Sequence, residues 1–479
     1  MKPALWKIIY NNYTGPEKRA VELVAREMGE YLLREDGIYA FHLIACEQEA
    51  GLPDQNAVIL GTYAQSPLLR QFISPGEVPE NGYVVKIIDH PVNSDLQLVL
   101  ICGDGAREVF YGAVDFVDDG FNASVPDLDG FKLPHELFRF KLAPYYIATA
   151  PAVKTRSVFT WGHTINNREA YFANLARMKL NQVMVWNEHK PINAEEVVEC
   201  AHSYGIEILW GYAWGWSTNC GTADLQDLDT LKDQIIREYN DFYHGSGDGI
   251  YFQSFTEIWQ DTIGGVLISE AVTRLVNMTA SELLKQYPNL KLQFGLHASS
   301  VKNHMEHLAK VDPRIEIIWE NCGDFPYTTS PTNYVQCNLE QDIAYTDEII
   351  TLRGDAPLGL VYKGQVTQDW SRGRFVHQAG PYILGDVPDS VRAKDRAMLL
   401  PMWRQLQTEW LMNGRTAFDL TRHIQKKTGG NVNMCMAAQL SEGIWLPTAL
   451  CAELFWNGTD SYEEILRKVI SRHSVTMAN

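Results

Sequence analysis

The chain has 479 residues, 46% of them hydrophobic and 21% charged, and carries a formal net charge of −18. That length suits two ordinary domains, or one large one with an appendage, around a sizeable core. The acidic balance argues against a nucleic-acid binder, which needs clustered Lys and Arg on phosphates. No apolar run reaches the roughly 20 residues of a membrane helix.

The N-terminal MKPALWKIIYNNYTG is broken by polar residues, so it fails as a signal peptide and reads as a first strand. After it, PEKRAVELVAREMGEYLLRE has helical spacing with Pro near its start. AFHLIAC, NAVILGT, GYVVKII and LQLVLICG follow as strands, and AREVFYGAVDFVDDGF as a helix. The GDG at 103–105 joins strand to helix but lacks the third Gly of a dinucleotide loop, so a plain tight turn is the better reading. The eight cysteines (Cys46, Cys102, Cys200, Cys220, Cys322, Cys337, Cys435, Cys451) are scattered without a CxxC, which predicts reduced thiols in a cytoplasmic protein.

From about Thr155 a strand-then-helix rhythm begins. RSVFTWGH, NQVMVWNEH, IEILWGYAWG, GIYFQSFTE, KLQFGLHA, IEIIWENCG, PLGLVYKG and NVNMCMAAQ are near-continuous apolar strands, as a parallel sheet covered by helices requires. Helical stretches such as REAYFANLARMK, AEEVVECAHSYG, LKDQIIREYNDFY and EAVTRLVNMTASELLKQY separate them. Eight such units predict an α/β fold with a (β/α)8 TIM barrel over 146–479, preceded by a small α/β accessory domain over 1–145. The irregular connection from Gly364 to about Ser390 reads as a functional loop. SYEEILRKVISRH predicts a last packing helix.

A barrel puts its chemistry where strands end, at the C-terminal face. Here the ends carry Trp161 and His163; Trp186, Asn187, Glu188 and His189; Tyr212, Trp214 and Trp216; and Glu257 with Trp259. The later ends carry His297; Glu320, Asn321 and Asp324; Lys363, Gln365, Asp369 and Trp370; and Gln439 with Glu442. Any one of these reads alone as a hydrogen-bonded rim residue; their concentration on one face points to a site. Aromatic rings beside carboxylates suit a sugar, whose C–H faces stack while its hydroxyls hydrogen-bond. Glycoside hydrolysis then needs two carboxyl groups flanking the scissile bond. Glu257, between Phe255 and Trp259, is the acid candidate, because apolar surroundings raise a carboxyl pKa. Asp324 and Glu320 are candidates for the second carboxylate, although Glu320 could instead pair with a cation such as Lys363. His163, His189 and His297 could form a metal cluster, yet the first strand has no HxH, so substrate hydrogen bonding is preferred. No GxSxG elbow supports a serine nucleophile.

These segments carry a family likeness. VLICGDGAREVFYGAVDFVDDG resembles the end of the accessory domain that precedes the barrel in α-glucuronidases of glycoside hydrolase family 67, a domain shared in outline with β-N-acetylhexosaminidases. VKTRSVFTWGH and KLNQVMVWNEH resemble the first barrel unit of those enzymes. GIYFQSFTEIWQD resembles the α-glucuronidase fourth strand, which implies that Glu257 is the general acid. IIWENCGDFPY resembles the sixth strand and its loop, which implies that Asp324 belongs to the general-base pair. The family's second base carboxylate, a Glu near the end of strand seven, is matched here by Lys363, with Asp369 further on. Thr256 before Glu257 departs from the paired acids of the hexosaminidases.

The expectation is a cytoplasmic, cofactor-independent glycoside hydrolase acting on an oligosaccharide, with α-glucuronidase-like cleavage as its finer form and no metal. Glu257 protonates the leaving oxygen, and Asp324, with Glu320 or Asp369, activates water. Trp161, Trp186, Trp214 and Trp370 wall the sugar, and Arg372 or Lys363 suits a uronate carboxylate. His163, Asn187, His189, His297 and Asn321 complete the substrate-binding set. The alternatives are a non-catalytic carbohydrate-binding barrel, which the Lys at strand seven would suit, and a metal-dependent barrel hydrolase.

Overall fold

The computed structural model describes residues 6–32, 41–49, 51–121, 127–128, 131–132, 141–186, 189–215, 224–297, 300–320, 339–365, 382–438 and 445–472. It divides into two compact units, Met1–Pro151 with His202–Gly205, and Ala152–Ala201 with Ile206–Asn479.

The first unit is built on β1 (Trp6–Tyr10), β2 (Phe41–Ala45), β3 (Asn56–Thr62), β4 (Tyr83–Asp89), β5 (Gln97–Gly103) and β6 (Tyr145–Thr149), with helices α1 (Gly15–Leu32) and α2 (Ala106–Asp115). The sheet order is β2-β1-β3-β5-β4-β6. β3 and β5 are apolar almost throughout and buried, so they sit inside the sheet and pair in parallel. β4 runs antiparallel to both β5 and β6. The edge strand β6 alternates between half-buried and exposed residues, a weak pattern that the sequence reading passes over. Its first residue stands at the expected boundary of 145, and the unit runs on to Pro151. A side chain at Gly103 would overlap the backbone of Glu108 and Val109, which is why a glycine lets α2 begin directly beyond the strand.

The second unit is the expected barrel. β7 (Thr155–Trp161), β8 (Gln182–Trp186), β9 (Glu207–Ala213), β10 (Gly249–Gln253), β11 (Lys291–Leu296), β12 (Glu316–Trp319), β13 (Leu358–Gln365) and β14 (Asn433–Ala438) close into one sheet, each pairing in parallel with its neighbours. Each of the eight apolar runs contributes one strand. α3 (Arg168–Arg177), α4 (Ala194–Ser203), α5 (Leu228–Glu238), α6 (Ile268–Gln286), α7 (Leu339–Arg353), α8 (Asp389–Asn413), α9 (Arg415–Thr428), α10 (Leu446–Trp456) and α11 (Tyr462–Ser471) accompany them. No helix among the described residues is long and apolar enough to cross a membrane.

Alternation along the strands sorts the inward side chains into layers. At the strand starts lies a hydrogen-bonded polar layer. Ser157 Oγ donates to Asn433 Oδ1 at 2.5 Å, Asn433 Nδ2 to Gln182 Oε1 at 3.0 Å, and Gln293 Nε2 to Gln182 Oε1 at 2.8 Å. Gln293 Nε2 also donates to Glu316 Oε2 at 2.5 Å. Above it, Phe159, Met184, Leu209, Tyr251, Ile318, Val361 and Cys435 form an apolar middle. The third layer opens at the C-terminal mouth and holds the candidate site.

Candidate active site

Strand periodicity dictates what faces the mouth. In β10, Tyr251 and Gln253 point inward; one residue past β11 and β12, His297 and Glu320 continue the inward rows; in β13, Lys363 does so. Lys363 also sits where β13 carries an extra residue against β14, since Tyr362 pairs with Met436 and Gln365 with Ala438. Such a bulge re-aims a side chain near a site.

Glu320 is the hub. It is 4% exposed, and its two oxygens face four donors. The Tyr251 hydroxyl donates to Oε1, and Gln253 Nε2 donates to the same oxygen at 2.5 Å. His297 Nε2 lies 2.6 Å from Oε2, and Lys363 Nζ lies 3.4 Å from it. Gly295 makes room for this meeting, because a methyl there would overlap the Tyr251 hydroxyl and the Glu320 carboxylate. Burial pushes the Glu320 carboxyl up, but the charges of His297 and Lys363, with hydrogen bonds from His297 and Tyr251, outweigh it and hold the group well below the usual carboxylate range. Burial, and then the Glu320 charge, raise the Tyr251 phenol well above its ordinary value, so it stays a donor. A carboxylate accepts only, so His297 Nε2 carries a hydrogen, and Nδ1 is buried without a hydrogen-bond partner among the described residues. Glu320 is thus a fixed anion with its lone pairs engaged, an arrangement that suits orienting its neighbours better than taking a proton from water.

Glu257 differs in both position and setting. In the sequence it follows an apolar run and is expected to end the strand in apolar surroundings. β10 instead ends at Gln253, and Glu257 stands on the turn that follows, its side chain 37% exposed and Oε2 4.0 Å from His297 Nε2. Phe255 is fully buried and Trp259 is 61% exposed. The turn is pinned on both sides: Ser254 Oγ donates to the Trp214 carbonyl at 2.8 Å, Ser300 Oγ to the Thr256 carbonyl at 2.8 Å, and the His297 amide to Thr256 Oγ1 at 3.4 Å. Glu257 and Glu320 approach the same imidazole nitrogen, and the sum of the two distances caps their oxygen–oxygen separation. That cap includes the ~5–5.5 Å spacing of a retaining pair and only the lower edge of the ~6.5–9.5 Å spacing of an inverting one.

The aromatic candidates separate. Trp161 and Trp186 pair across β7 and β8 at the top of the inward rows, with 5% of each exposed, so only ring edges reach the mouth. Trp214 is fully buried and stacked on Phe252, with ring centroids 3.6 Å apart. Phe252 alternates with the inward Tyr251 and Gln253, which places that stack outside the barrel wall and leaves Trp214 no face for a sugar. His189 is exposed, and no hydrogen bond or ion pair joins it to the cluster. The side chain of His163, and the whole of Asn187, Glu188, Trp216, Asn321, Asp324, Asp369, Trp370, Arg372, Gln439 and Glu442, lie outside the described residues. Among the described residues no three of His, Cys, Asp and Glu converge as metal ligands.

Tyr251 and Gln253 are not among the residues expected from the strand ends, because they lie inside the apolar strand GIYFQ. The signal available is their period-2 placement, which aligns both with the inward row below Glu257.

No protein-family model matches the chain, and no curated protein sequence matches it. Among solved structures it is similar to a family GH115 4-O-methyl-alpha-glucuronidase, BtGH115A, with specificity for decorated arabinogalactans. The TM-score is 0.52 at 12% identity, over 98% of this chain and 59% of that one. It is also similar to CpGH84B, a GH84 glycoside hydrolase, with a TM-score of 0.53 at 12% identity, over 98% of this chain and 70% of that one. The chain therefore spans about three fifths of the first neighbour's length. These likenesses establish the fold that the chain shares with glycoside hydrolase barrels, and they single out neither family 67 nor any substrate.

Proposed function

We propose that the chain is a glycoside hydrolase that cleaves an oligosaccharide at the C-terminal mouth of its barrel. The observation that carries this reading is the accessible Glu257 carboxyl beside the Glu320–His297–Lys363 cluster, with Trp161 and Trp186 ending strands β7 and β8 of the same barrel. Glu257 gives its proton to the glycosidic oxygen as the bond to the anomeric carbon breaks. Asp324 accepts a proton from the water whose oxygen bonds to that carbon. Glu320 remains anionic throughout and orients His297. The finer form of the proposal is α-glucuronidase-like cleavage: Lys363 is 28% exposed, and an ammonium within reach of solvent suits a uronate carboxylate, with Arg372 as a second cation. A cytoplasmic setting belongs to the same reading and rests on the scattered cysteines.

A second reading, a non-catalytic carbohydrate-binding barrel, is favoured by one observation. Glu320, engaged by four donors, is poorly placed to act as a base, so the second carboxylate rests on Asp324 or Asp369 alone.

Sugar release from aryl glycosides and from glucuronic-acid-bearing xylo-oligosaccharides, by wild type beside Glu257→Gln, tests both. We expect release by wild type and a loss of about 10²–10⁴-fold in the variant on substrates that need acid assistance. Release that survives the substitution removes Glu257 from the mechanism. Binding without release by either protein favours the second reading.

A further inference from the structure

The turn that carries Glu257 is gripped at both ends by one segment, the stretch that follows β11. At the near end the His297 amide donates to Thr256 Oγ1, and Ser300 Oγ donates to the Thr256 carbonyl. At the far end Asn303 Nδ2 donates to Asp261 Oδ2 at 3.2 Å, and His304 Nε2 lies 3.8 Å from the same oxygen. His304 Nδ1 lies 3.7 Å from Glu306 Oε1, so the ring stands between two carboxylates. The segment that makes both grips begins with His297, the imidazole that Glu257 approaches.

Asp261 is the joint. Its carbonyl accepts from the amide of Ile268, the first residue of α6, at 2.9 Å, and between them Thr262–Ile263 pair with Val266–Leu267 as a short antiparallel hairpin. Backbone bonds thus fix Asp261 to α6, while its carboxylate fixes it to the segment after β11. The side chain is 34% exposed, so removing it opens no cavity in the core. Glu257 lies on the short stretch between Thr256 and Asp261, and releasing one end frees the carboxyl to drift from His297. Misplacing a catalytic group by about 1 Å is costly to rate.

We propose that Asp261 is a positioning residue for the reaction: through Asn303 and His304 it holds the turn so that the Glu257 carboxyl stays against His297 and in reach of the glycosidic oxygen. This rests on Glu257 as the acid. Asp261 acts through Glu257 alone, so its loss weakens the cleavage that needs a proton and spares the cleavage that does not.

The test sets two leaving groups of the same sugar against each other: a phenyl glycoside, whose poor leaving group needs the proton, and a dinitrophenyl glycoside, whose anion departs without one. For Asp261→Ala, kcat/KM on the phenyl glycoside should fall about tenfold, mainly through kcat, while that on the dinitrophenyl glycoside stays unchanged. Asp261→Asn, which keeps an acceptor for Asn303, should recover most of the loss. Asn303→Ala should lower the same rate, and adding it to Asp261→Ala should change nothing further. An equal loss on both glycosides, or no loss on either, overturns the proposal. If wild-type protein hydrolyses neither, the hydrolase reading fails, and amide hydrogen exchange at residues 257–260 still decides the tie. Faster exchange in Asp261→Ala than in wild type supports it; equal exchange overturns it.

Discussion

Two glutamates a few ångströms apart at the barrel mouth receive opposite treatment. Glu257 keeps more than a third of its side chain in solvent, with His297 at 4.0 Å. Glu320 is enclosed by Tyr251, Gln253, His297 and Lys363. Removing one member of a buried charged pair leaves the other short of a partner, at a cost of roughly 3–5 kcal/mol. Glu320→Gln should therefore lower stability by about that order at neutral pH, read as a lower thermal midpoint of the barrel. The pH dependence follows from the direction of the shift. The folded-state pKa of Glu320 lies below its ordinary value of 4.5, so the native state binds fewer protons and the stabilisation is present above that value. It is lost as pH falls below about 4.5 toward the folded-state pKa. Midpoints measured down through pH 3 should converge for wild type and Glu320→Gln; parallel curves would mean that the carboxylate contributes nothing specific.

Between residue and barrel, single elements do the positioning. The β13 bulge aims Lys363 at Glu320. The return limb of the long connection after β13 is tied down across the mouths of β7 and β8. Ile192 N donates to the Tyr382 carbonyl at 2.8 Å, Leu384 N to Asn193 Oδ1 at 3.0 Å, Arg168 N to the Gly385 carbonyl at 3.1 Å, and Val387 N to the Asn166 carbonyl at 2.9 Å. Gly385 adopts φ 74°, a conformation that favours glycine, as it passes Arg168. At the other end of the unit, α11 begins with a capping box: Ser461 Oγ accepts from Glu464 N at 3.3 Å, and Ser461 N donates to Glu464 Oε2 at 2.9 Å. Ser461→Ala should cost about 1 kcal/mol by removing the first of these. Amide hydrogen exchange in the first turn of α11 should quicken while the barrel strands stay protected; unchanged exchange would mean that packing alone holds the helix.

At the scale of the barrel, the three inward layers divide the work. The apolar middle supplies the core, the mouth carries the reactive groups, and the polar layer at the strand starts closes the far end. Glu316 is the expensive member of that closing layer. Burial raises its carboxyl pKa, and hydrogen bonds from Asn433 and Gln293 only partly offset this. Here the sign is opposite to that of Glu320. The native state holds the proton more tightly, so the contribution is intact below the ordinary value of 4.5 and is lost as pH rises through the folded-state pKa. Glu316→Gln, which keeps an acceptor for both donors without the charge, should gain stability over wild type as pH rises from about 4.5 to 8. The same substitution in the mouth, at Glu320, should lose it. A matched pair of pH–midpoint curves checks both signs together.

The sequence by itself determined the architecture, because eight apolar runs of strand length separated by helical ones admit few ways to bury both faces of a sheet. It also located the chemistry at strand ends, since a parallel barrel aims them all at one face. It did not determine the setting of any one carboxylate. Glu257 and Glu320 look alike in sequence, each beside aromatic residues; closure of β10, β11, β12 and β13 side by side decided that Glu320 would meet Tyr251, His297 and Lys363, and that Glu257 would stand outside them. Trp214 and Trp186 likewise both end apolar strands, yet one packs outside the wall on Phe252 and the other faces in. Periodicity is a local property and survives in the sequence. Which charged and aromatic groups become neighbours depends on contacts between distant strands, and only the closed barrel brings those strands together.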